Sequence, residues 1–438
     1  MFRLPWTMSQ VGVEQIVGLL TADDEEKGLT DRAAAALETW THATGDQLDR
    51  LVAAAIKAGD FVPDELSGQA LRLFTSKTLP HGSTVQKSFD LLLQAVEAME
   101  KATPPGEGRS AWQELRNKLQ SFGTFRYVDT VLQLDSAAEL PLAELVDRAG
   151  RLEPYSAVWA TEGLGHYWAE RAWGRGETPT RLLADDTVDQ ALLALHAGLG
   201  LSMARRSLQN LDAQSPDEQI HRQLHHFVDL CRDNSKEGYA EVALEALGLI
   251  ARTLHPELVT AIDQQLASLY PEIQAYFWHG VGRGSYFLPF GLVPRVSSAS
   301  RALEMLREEA PHEVAWTNAL SGLAWPLILV NIRQPEIIES FLAQHGDLLD
   351  TTDAFASGVG ASIATWFDSN EGDTHLVRFC QHQPDPVDGQ LSRLWECHVR
   401  EPARRALKYD YPAMRENGLL SNLFQYSPLE QTANGQIE

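Results

Sequence analysis

The sequence has few cysteines, and their spacing suits neither a disulfide framework nor a zinc site. Its 438 residues include Cys231, Cys380 and Cys397, which are widely separated and form no C-x-x-C motif. A disulfide framework needs several cysteines in a short secreted chain, and a structural zinc site needs closely spaced ligands. We therefore expect reduced thiols in a cytoplasmic protein.

Long apolar runs and positive charge are also scarce. The longest apolar stretch, GLAWPLILVNI at 322–332, is about half the length that spans a bilayer. We find no secretory cleavage pattern near the start. The 60 acidic residues exceed the 36 lysines and arginines, and the formal net charge of -24 repels nucleic acids and anionic membranes. The sequence thus predicts an acidic protein with no membrane span and no nucleic-acid partner.

Strand signals are nearly absent, whereas helical periodicity runs through most of the chain. Segments such as 88–102 and 217–234 place apolar residues three and four positions apart, which is the spacing of one buried helix face. Alternating runs of valine, isoleucine and threonine between turns are lacking. The pattern predicts an all-α protein.

A glycine recurs in six similar apolar segments. The intervals are 35, 40, 42, 42 and 36 residues, and the glycines are Gly163, Gly198, Gly238, Gly280, Gly322 and Gly358. This spacing is typical of a helical hairpin with its turns. We predict hairpin repeats that form a curved α-solenoid or a closed α/α toroid. The predicted domains are an N-terminal helical region at 1–140, a six-fold repeat domain at 141–424 and a flexible tail at 425–438.

The recurrent glycine needs a reason, because glycine inside a helix costs about 1 kcal/mol relative to alanine. One explanation is close packing, since a small residue lets two helices approach each other. The alternative is that glycine exposes backbone to a ligand in a groove or cavity. Under that alternative the predicted substrate-binding residues are Gly163, Trp168, Gly280, Gly282, Tyr286 and Trp325.

Equivalent positions in stacked repeats form rows, and two of these rows carry polar residues. The position before each glycine holds Glu162, Ala197, Glu237, His279, Ser321 and Ser357. The position three after it holds His166, Leu201, Glu241, Arg283, Trp325 and Ala361. The two positions are four residues apart, so they share one helix face.

Polar side chains on a close-packed face are costly unless they are paired or lie in a wet cavity. We expect the catalytic residues, if there is catalysis, among Glu162, His166, Glu237, His279 and Arg283. Carboxylates and imidazoles serve general acid–base chemistry or bind a divalent metal, and the sequence leaves the cofactor open. The structural alternative is that they form ion pairs between adjacent helices, for example Glu237 with His279.

Two segments, WATEGLGHYWAERAW at 159–173 and WHGVGRGSYFLPF at 278–290, carry a family resemblance. They resemble the repeated elements of an uncharacterised bacterial family associated with enediyne polyketide gene clusters. The resemblance covers about 155–365 and rests on Glu162, Gly163, Gly165, Gly280, Gly282, Arg283, Tyr286 and Phe287. It implies a role in secondary metabolism and carries over no reaction.

Two functions are therefore expected. The first is an enzyme or cyclisation and tailoring factor of bacterial natural-product biosynthesis, which acts on a largely apolar small molecule in a helical-repeat cavity. The second is a non-catalytic helical-repeat scaffold that binds a partner protein or a hydrophobic ligand.

Overall fold

The computed structural model describes residues 106–134, 140–176, 178–183, 188–287, 298–385 and 387–428, with a few positions between 93 and 103. Most of the predicted N-terminal region and the end of the predicted tail lie outside the described residues. The described part of the chain is helical and contains no β-strand, so the all-α prediction is confirmed.

The helices are, in chain order, α1 Glu107–Arg126, α2 Val128–Val131, α3 Leu142–Gly150, α4 Pro154–Gly174, α5 Leu192–Leu208, α6 Asp217–Asn234, α7 Ala240–Leu254, α8 Val259–Leu269, α9 Gln274–Phe287, α10 Ser298–Glu309, α11 Glu313–Asn331, α12 Pro335–Leu349, α13 Ala354–Ser369, α14 Thr374–Gln381, α15 Gly389–Trp395, α16 Glu401–Arg405 and α17 Tyr411–Glu416. Two π-helical segments, Glu396–Arg400 and Ala406–Asp410, lie between the last three helices. Two 3-10 helices span Pro256–Leu258 and Leu420–Phe424.

The chain divides into two compact units. The first comprises Met1–Gln120 and Leu288–Ser298, and the second comprises Ser121–Phe287 and Ala299–Glu438. In the first unit, the Nζ of Lys118 donates to the Oγ of Ser298 at 3.2 Å, and burial lowers the pKa of Lys118 to about 8. The predicted boundary at residue 140 stays a prediction.

Six helices form the centre of the second unit, and each contacts the next along the row: α4, α5, α7, α9, α11 and α13. The first and the last of them also meet, because the side chain of Asn370 donates to the carbonyl of Pro154 at 3.2 Å. The rings of Tyr155 and Trp366 lie 6.2 Å apart at the same place. From α5 onward the inner helices alternate along the chain with α6, α8, α10 and α12, as hairpin repeats require, whereas α4 and α5 follow each other directly in the helix order. The choice between solenoid and toroid stays a prediction.

Glycines set the spacing between the inner helices. A Cβ added to Gly198 would lie 1.8 Å from the carbonyl oxygen of Glu162, and one added to Gly322 would lie 2.0 Å from that of His279. No side-chain carbon fits at such distances, so the glycine is needed for close helix packing. The close-packing interpretation is confirmed for these glycines, which lie against neighbouring backbone.

The register predicted for the third repeat is wrong. Gly238 lies in a turn before α7, where its φ of 82° is a left-handed conformation that suits glycine. The residue whose carbonyl faces the next repeat's glycine is Glu245, 2.1 Å from the position of a Cβ on Gly280. Glu245 therefore holds the row position assigned to Glu237, and Ala246 replaces the glycine after it. The prediction mistook Gly238, a glycine required by a turn, for one required by helix packing.

Candidate functional site

Four ionisable side chains meet at the centre of the inner helices. The Nη2 of Arg283 lies 3.0 Å from an oxygen of Glu162 on α4, and its Nη1 lies 2.9 Å from Glu245 on α7. The second oxygen of Glu245 lies 2.9 Å from the Nδ1 of His279, which stands one turn before Arg283 on α9. One guanidinium thus joins two carboxylates, and one carboxylate joins the guanidinium to an imidazole. We call these four residues the core network.

Local sequence signals place the helices that carry the core network. The α4 helix begins at Pro154, a residue preorganised for the first helical position, and the side chain of Glu153 accepts hydrogen bonds from the amides of Tyr155 and Ser156. Glu162 follows two turns later. Two glycines lie between His279 and Arg283 on α9. Gly280 brings the α9 backbone against α7, and Gly282 brings it against α11. The network is therefore held by rigid, closely packed elements.

The core network is almost fully excluded from solvent, with His279 and Glu245 both 0% exposed. Burial raises the pKa of Glu162, and the charge of Arg283 opposes this only in part. Burial lowers the pKa of His279 despite its bond to Glu245, so the imidazole is neutral at neutral pH. Burial also disfavours the Arg283 cation, but the two carboxylates outweigh it and raise its pKa. The network then carries a fixed cation between two carboxylates and a neutral base.

Two aromatic rings cover the network. The Cζ of Arg283 lies 4.2 Å from the centre of the Trp325 ring, a cation–π contact. The ring of Phe424 lies 5.9 Å from that of His279 and 5.8 Å from that of Trp325. The same ring is 5.9 Å from the guanidinium of Arg283. Phe424, from the 3-10 helix Leu420–Phe424, therefore contacts three side chains of this centre.

Four buried polar atoms around these rings have no hydrogen-bond partner. They are the Nε2 of His279, the Nε of Arg283, the Oγ of Ser321 and the Nε1 of Trp325. Ser321 lies one turn before Trp325 on α11. A buried polar group without a partner costs about 1–3 kcal/mol. All four groups lie on two neighbouring helices, α9 and α11, and each has a hydrogen-bonding position that the chain itself does not fill.

The segment that contains Phe424 is attached to the inner helices by a small set of polar contacts. The hydroxyl of Tyr276 donates to the side chain of Asn422 at 3.0 Å. The amide of Tyr426 donates to the side chain of Asn318 at 2.7 Å, and the amide of Ser427 donates to the hydroxyl of Ser357 at 3.3 Å. We call residues 420–428 the plug. Through Phe424, the plug lies against His279 and Arg283 of the core network.

The structure brings together three of the five predicted catalytic residues, namely Glu162, His279 and Arg283. Glu237 lies in an exposed turn outside α7. His166 has its ring centre 5.6 Å from that of Phe125, and burial lowers its pKa to about 4. The charges that act on it are those of Glu170 and of three arginines, Arg126, Arg205 and Arg206, rather than those of the core network.

The predicted substrate-binding residues are also divided. Trp325 covers the core network, with its ring centre 4.2 Å from the Cζ of Arg283. Trp168 is half-buried beside Arg171, whose Cζ is 5.5 Å from its ring. Tyr286 is buried, and its hydroxyl accepts a hydrogen bond from Asn331 at 2.9 Å. The predicted glycines, Gly163, Gly280 and Gly282, contact neighbouring backbone.

Sequence reasoning missed Glu245 and Phe424. Glu245 stands alone in the apolar run VALEALGLIA at 242–251, and an isolated charge in such a run is a signal for a buried partner. Phe424 comes about one hundred residues after Trp325, and no local pattern marks it.

The described residues contain no group of three or more histidine, cysteine, aspartate or glutamate side chains positioned to hold a metal. Among the described helices, none combines the length and hydrophobicity that a bilayer crossing requires. No protein-family model, curated protein or solved structure matches this chain. The geometry of the site is therefore the main guide to its function.

Proposed function

We propose that the protein is an enzyme that performs acid–base chemistry on a largely apolar small molecule, with His279 as the base. The observation that carries the proposal is the set of four unpartnered polar atoms on His279, Arg283, Ser321 and Trp325, since three of these residues lie against the ring of Phe424. A substrate that replaces the Phe424 ring would supply their missing partners.

The pair of Glu245 and His279 has the arrangement of a carboxylate-oriented base. Glu245 accepts a hydrogen bond from Nδ1, which leaves the lone pair of the neutral imidazole on Nε2. The Nε2 atom has no partner in the closed protein, so it is free to take a proton from a bound molecule. Glu245 then stabilises the imidazolium that forms, and Arg283 holds Glu245 in place at 2.9 Å.

The chemical class of the substrate follows from what the site lacks. The Nε2 of His279 needs a hydrogen-bond donor, while the indole N–H of Trp325 needs an acceptor. A hydroxyl group supplies both. The planar Phe424 ring lies against the rings of both residues, at 5.9 Å and 5.8 Å between ring centres. A planar ring with a hydroxyl group, such as a phenol or an enol, fits these requirements.

The first experiment measures binding of phenol to the full chain. The Phe424→Ala variant removes the ring of the plug, and the matched control, Leu423→Ala, shortens the next buried side chain of the same segment. We expect phenol to raise the melting temperature of Phe424→Ala saturably and by more than benzene does, because benzene brings no hydroxyl. Wild type should bind more weakly, because phenol must displace Phe424, and Leu423→Ala should resemble wild type.

Imidazole NMR then tests the role of His279. Phenol should shift the Nε2 resonance of His279 in Phe424→Ala, and His279→Gln should remove the preference for phenol over benzene. Absence of phenol binding to Phe424→Ala would overturn the proposal. Binding to Phe424→Ala with none to wild type would also count against it, since the plug would then be a permanent part of the core.

The second candidate is a non-catalytic scaffold that binds a partner protein or a hydrophobic ligand. The complete burial of Glu245 and His279 favours it, because ion pairs between α4, α7 and α9 also tie helices together. Under this function the core network acts only on stability. Variants that remove His279 would then lower the melting temperature without any change in ligand preference.

The pathway proposed is bacterial natural-product biosynthesis, on the resemblance to the enediyne-associated family. Support comes from the pairing of the two motifs that carry the resemblance, since Glu162 of the EG-x-G element meets Arg283 of the G-x-GR element. We also propose a cytoplasmic location, which suits the three free cysteines. The test for the pathway is whether deletion of the gene from a producing strain removes one secondary metabolite.

A further inference from the structure

Two histidines face each other on the exposed side of α6, a helix that carries no member of the core network. His221 and His225 are four residues apart, so they lie one turn from each other on the same helix face. Their Nε2 atoms are 2.6 Å apart, and their ring centres are 4.5 Å apart. The two nitrogens therefore converge on one point at the protein surface.

Tyr270 holds the second histidine by its other ring nitrogen. The hydroxyl of Tyr270 forms a hydrogen bond with the Nδ1 of His225, and the two rings meet edge to face at 5.2 Å. In metal sites a ligating histidine commonly uses its remaining nitrogen in such a bond, which fixes the ring and its tautomer. Tyr270 thus orients the Nε2 of His225 toward His221.

We propose that His221 and His225 form a binding site for a divalent transition-metal ion of the class that prefers imidazole, such as Zn²⁺. Imidazole nitrogens bind zinc at about 2.0–2.1 Å, which in a tetrahedral site separates two of them by about 3.3 Å. The observed 2.6 Å is the distance of a shared hydrogen bond. Small side-chain rotations that move the two nitrogens apart by less than about 1 Å convert one geometry to the other. The ring that carried the shared proton on Nε2 then carries it on Nδ1, so both rings bind the metal as neutral imidazoles.

The surroundings suit a surface site that water completes. No set of three His, Cys, Asp or Glu side chains in the described part of the chain converges on a metal, so the remaining coordination positions belong to solvent. Near Tyr270 lie the negative charges of Asp229 and Glu272, and the positive charge of Arg232 offsets them in part. The chain as a whole carries a formal charge of -24, which attracts cations.

The test is titration calorimetry of the full chain with Zn²⁺, and with Mg²⁺ as the comparison ion. His221→Ala and His225→Ala each remove one ligand. His226→Ala is the matched control, because His226 is an exposed neighbour on the same helix that does not belong to the pair. Tyr270→Phe keeps the ring and removes the orienting hydroxyl.

We expect one Zn²⁺ per chain and no saturable binding of Mg²⁺. Affinity should fall at least tenfold in His221→Ala and His225→Ala, fall about tenfold in Tyr270→Phe, and stay unchanged in His226→Ala. The far-ultraviolet circular dichroism of all four variants should match wild type, because the side chains are at the surface. No saturable Zn²⁺ binding by wild type, or binding that survives both ligand removals, would overturn the site.

Discussion

Arg283 and Glu162, 121 residues apart in the sequence, meet at 3.0 Å in the centre of the inner helices. The contact joins α9 to α4, the fourth and the first of the six inner helices. Through its other amino group Arg283 also holds Glu245 on α7. A single cation therefore balances two buried carboxylates, and it cannot be removed without leaving both of them unpaired.

Replacing Arg283 with methionine should destabilise the protein strongly. The uncharged side chain keeps much of the volume but leaves two buried carboxylates without a cation, and breaking a buried pair in this way costs about 3–5 kcal/mol. Urea unfolding of Arg283→Met measures the loss. The triple variant Arg283→Met, Glu162→Gln, Glu245→Gln should recover at least half of it, because the unpaired charges are gone. A loss below about 1 kcal/mol in the single variant would contradict the geometry.

A glycine-to-alanine substitution should lower the unfolding free energy where the inner helices touch and raise it at the solvent-facing end of α4. A Cβ on Gly282 would lie 2.0 Å from the carbonyl oxygen of Ala319, whereas nothing lies within 4 Å of a Cβ on Gly174. Gly282→Ala should lose about 1–3 kcal/mol or more of unfolding free energy, because the helices must separate. Gly174→Ala should gain up to about 1 kcal/mol from helix propensity. Thermal unfolding of the two variants side by side checks the difference, and equal effects would exclude close packing at Gly282.

The protein should lose stability on mild acidification through His196. Its Nδ1 donates to the carbonyl of Leu192 at 2.7 Å, and its Nε2 accepts from the amide of Lys236 at 3.1 Å, so only the neutral ring satisfies both bonds. Burial lowers the pKa of His196 to about 4, while the unfolded value is near 6.5. The unfolded state thus binds the proton more readily, and stability falls as the pH drops from 6.5 to 4.

The loss due to His196 alone should reach about 3 kcal/mol at pH 4, because each pKa unit corresponds to about 1.4 kcal/mol. Denaturant unfolding at several pH values should show a steeper decline for wild type than for His196→Gln, which cannot be protonated in this range. Parallel curves for the two proteins would show that His196 does not titrate as its burial requires.

Asp263, in the middle of the short helix α8, should contribute strongly to stability. One of its oxygens accepts from the indole of Trp278 and from the side chain of Gln274, both at 2.7 Å. Asp263→Ala leaves the buried indole N–H without a partner, which costs about 1–3 kcal/mol. The exposed Glu308 serves as the control, since Glu308→Ala should change unfolding free energy by less than about 0.5 kcal/mol. Similar small effects in both variants would contradict this bond.

The sequence allowed the inner helices to be predicted because glycine at one packing level leaves a visible period. Gly198, Gly280, Gly322 and Gly358 all lie against the preceding inner helix, as that period implies. The prediction failed where two physical uses of glycine coincide. Gly238 serves a left-handed turn, and a sequence alone does not separate that use from close packing.

The site was predictable only where it follows the repeat. His279 stands out because it shares a row with Glu162, and Arg283 stands out because it shares the second row with His166. Glu245 was hidden by the shifted register, although its charge within an apolar run is visible. Phe424 was beyond reach for a different reason, since it comes from outside the repeats and its contact with His279 depends on tertiary folding alone.

The contact of glycine with carbonyl oxygen restricts how this protein can move. At each interface between consecutive inner helices, a glycine of one helix lies directly against a backbone carbonyl of its neighbour. If one helix slid along the other by one residue, a side chain would clash with backbone at Gly198, Gly248, Gly282 or Gly322. Separation of two inner helices is therefore a costly way for a molecule to reach the core network. The plug has only side-chain packing and a few hydrogen bonds to release. Any molecule that reaches His279 should enter along the path that residues 420–428 leave open when they lift away.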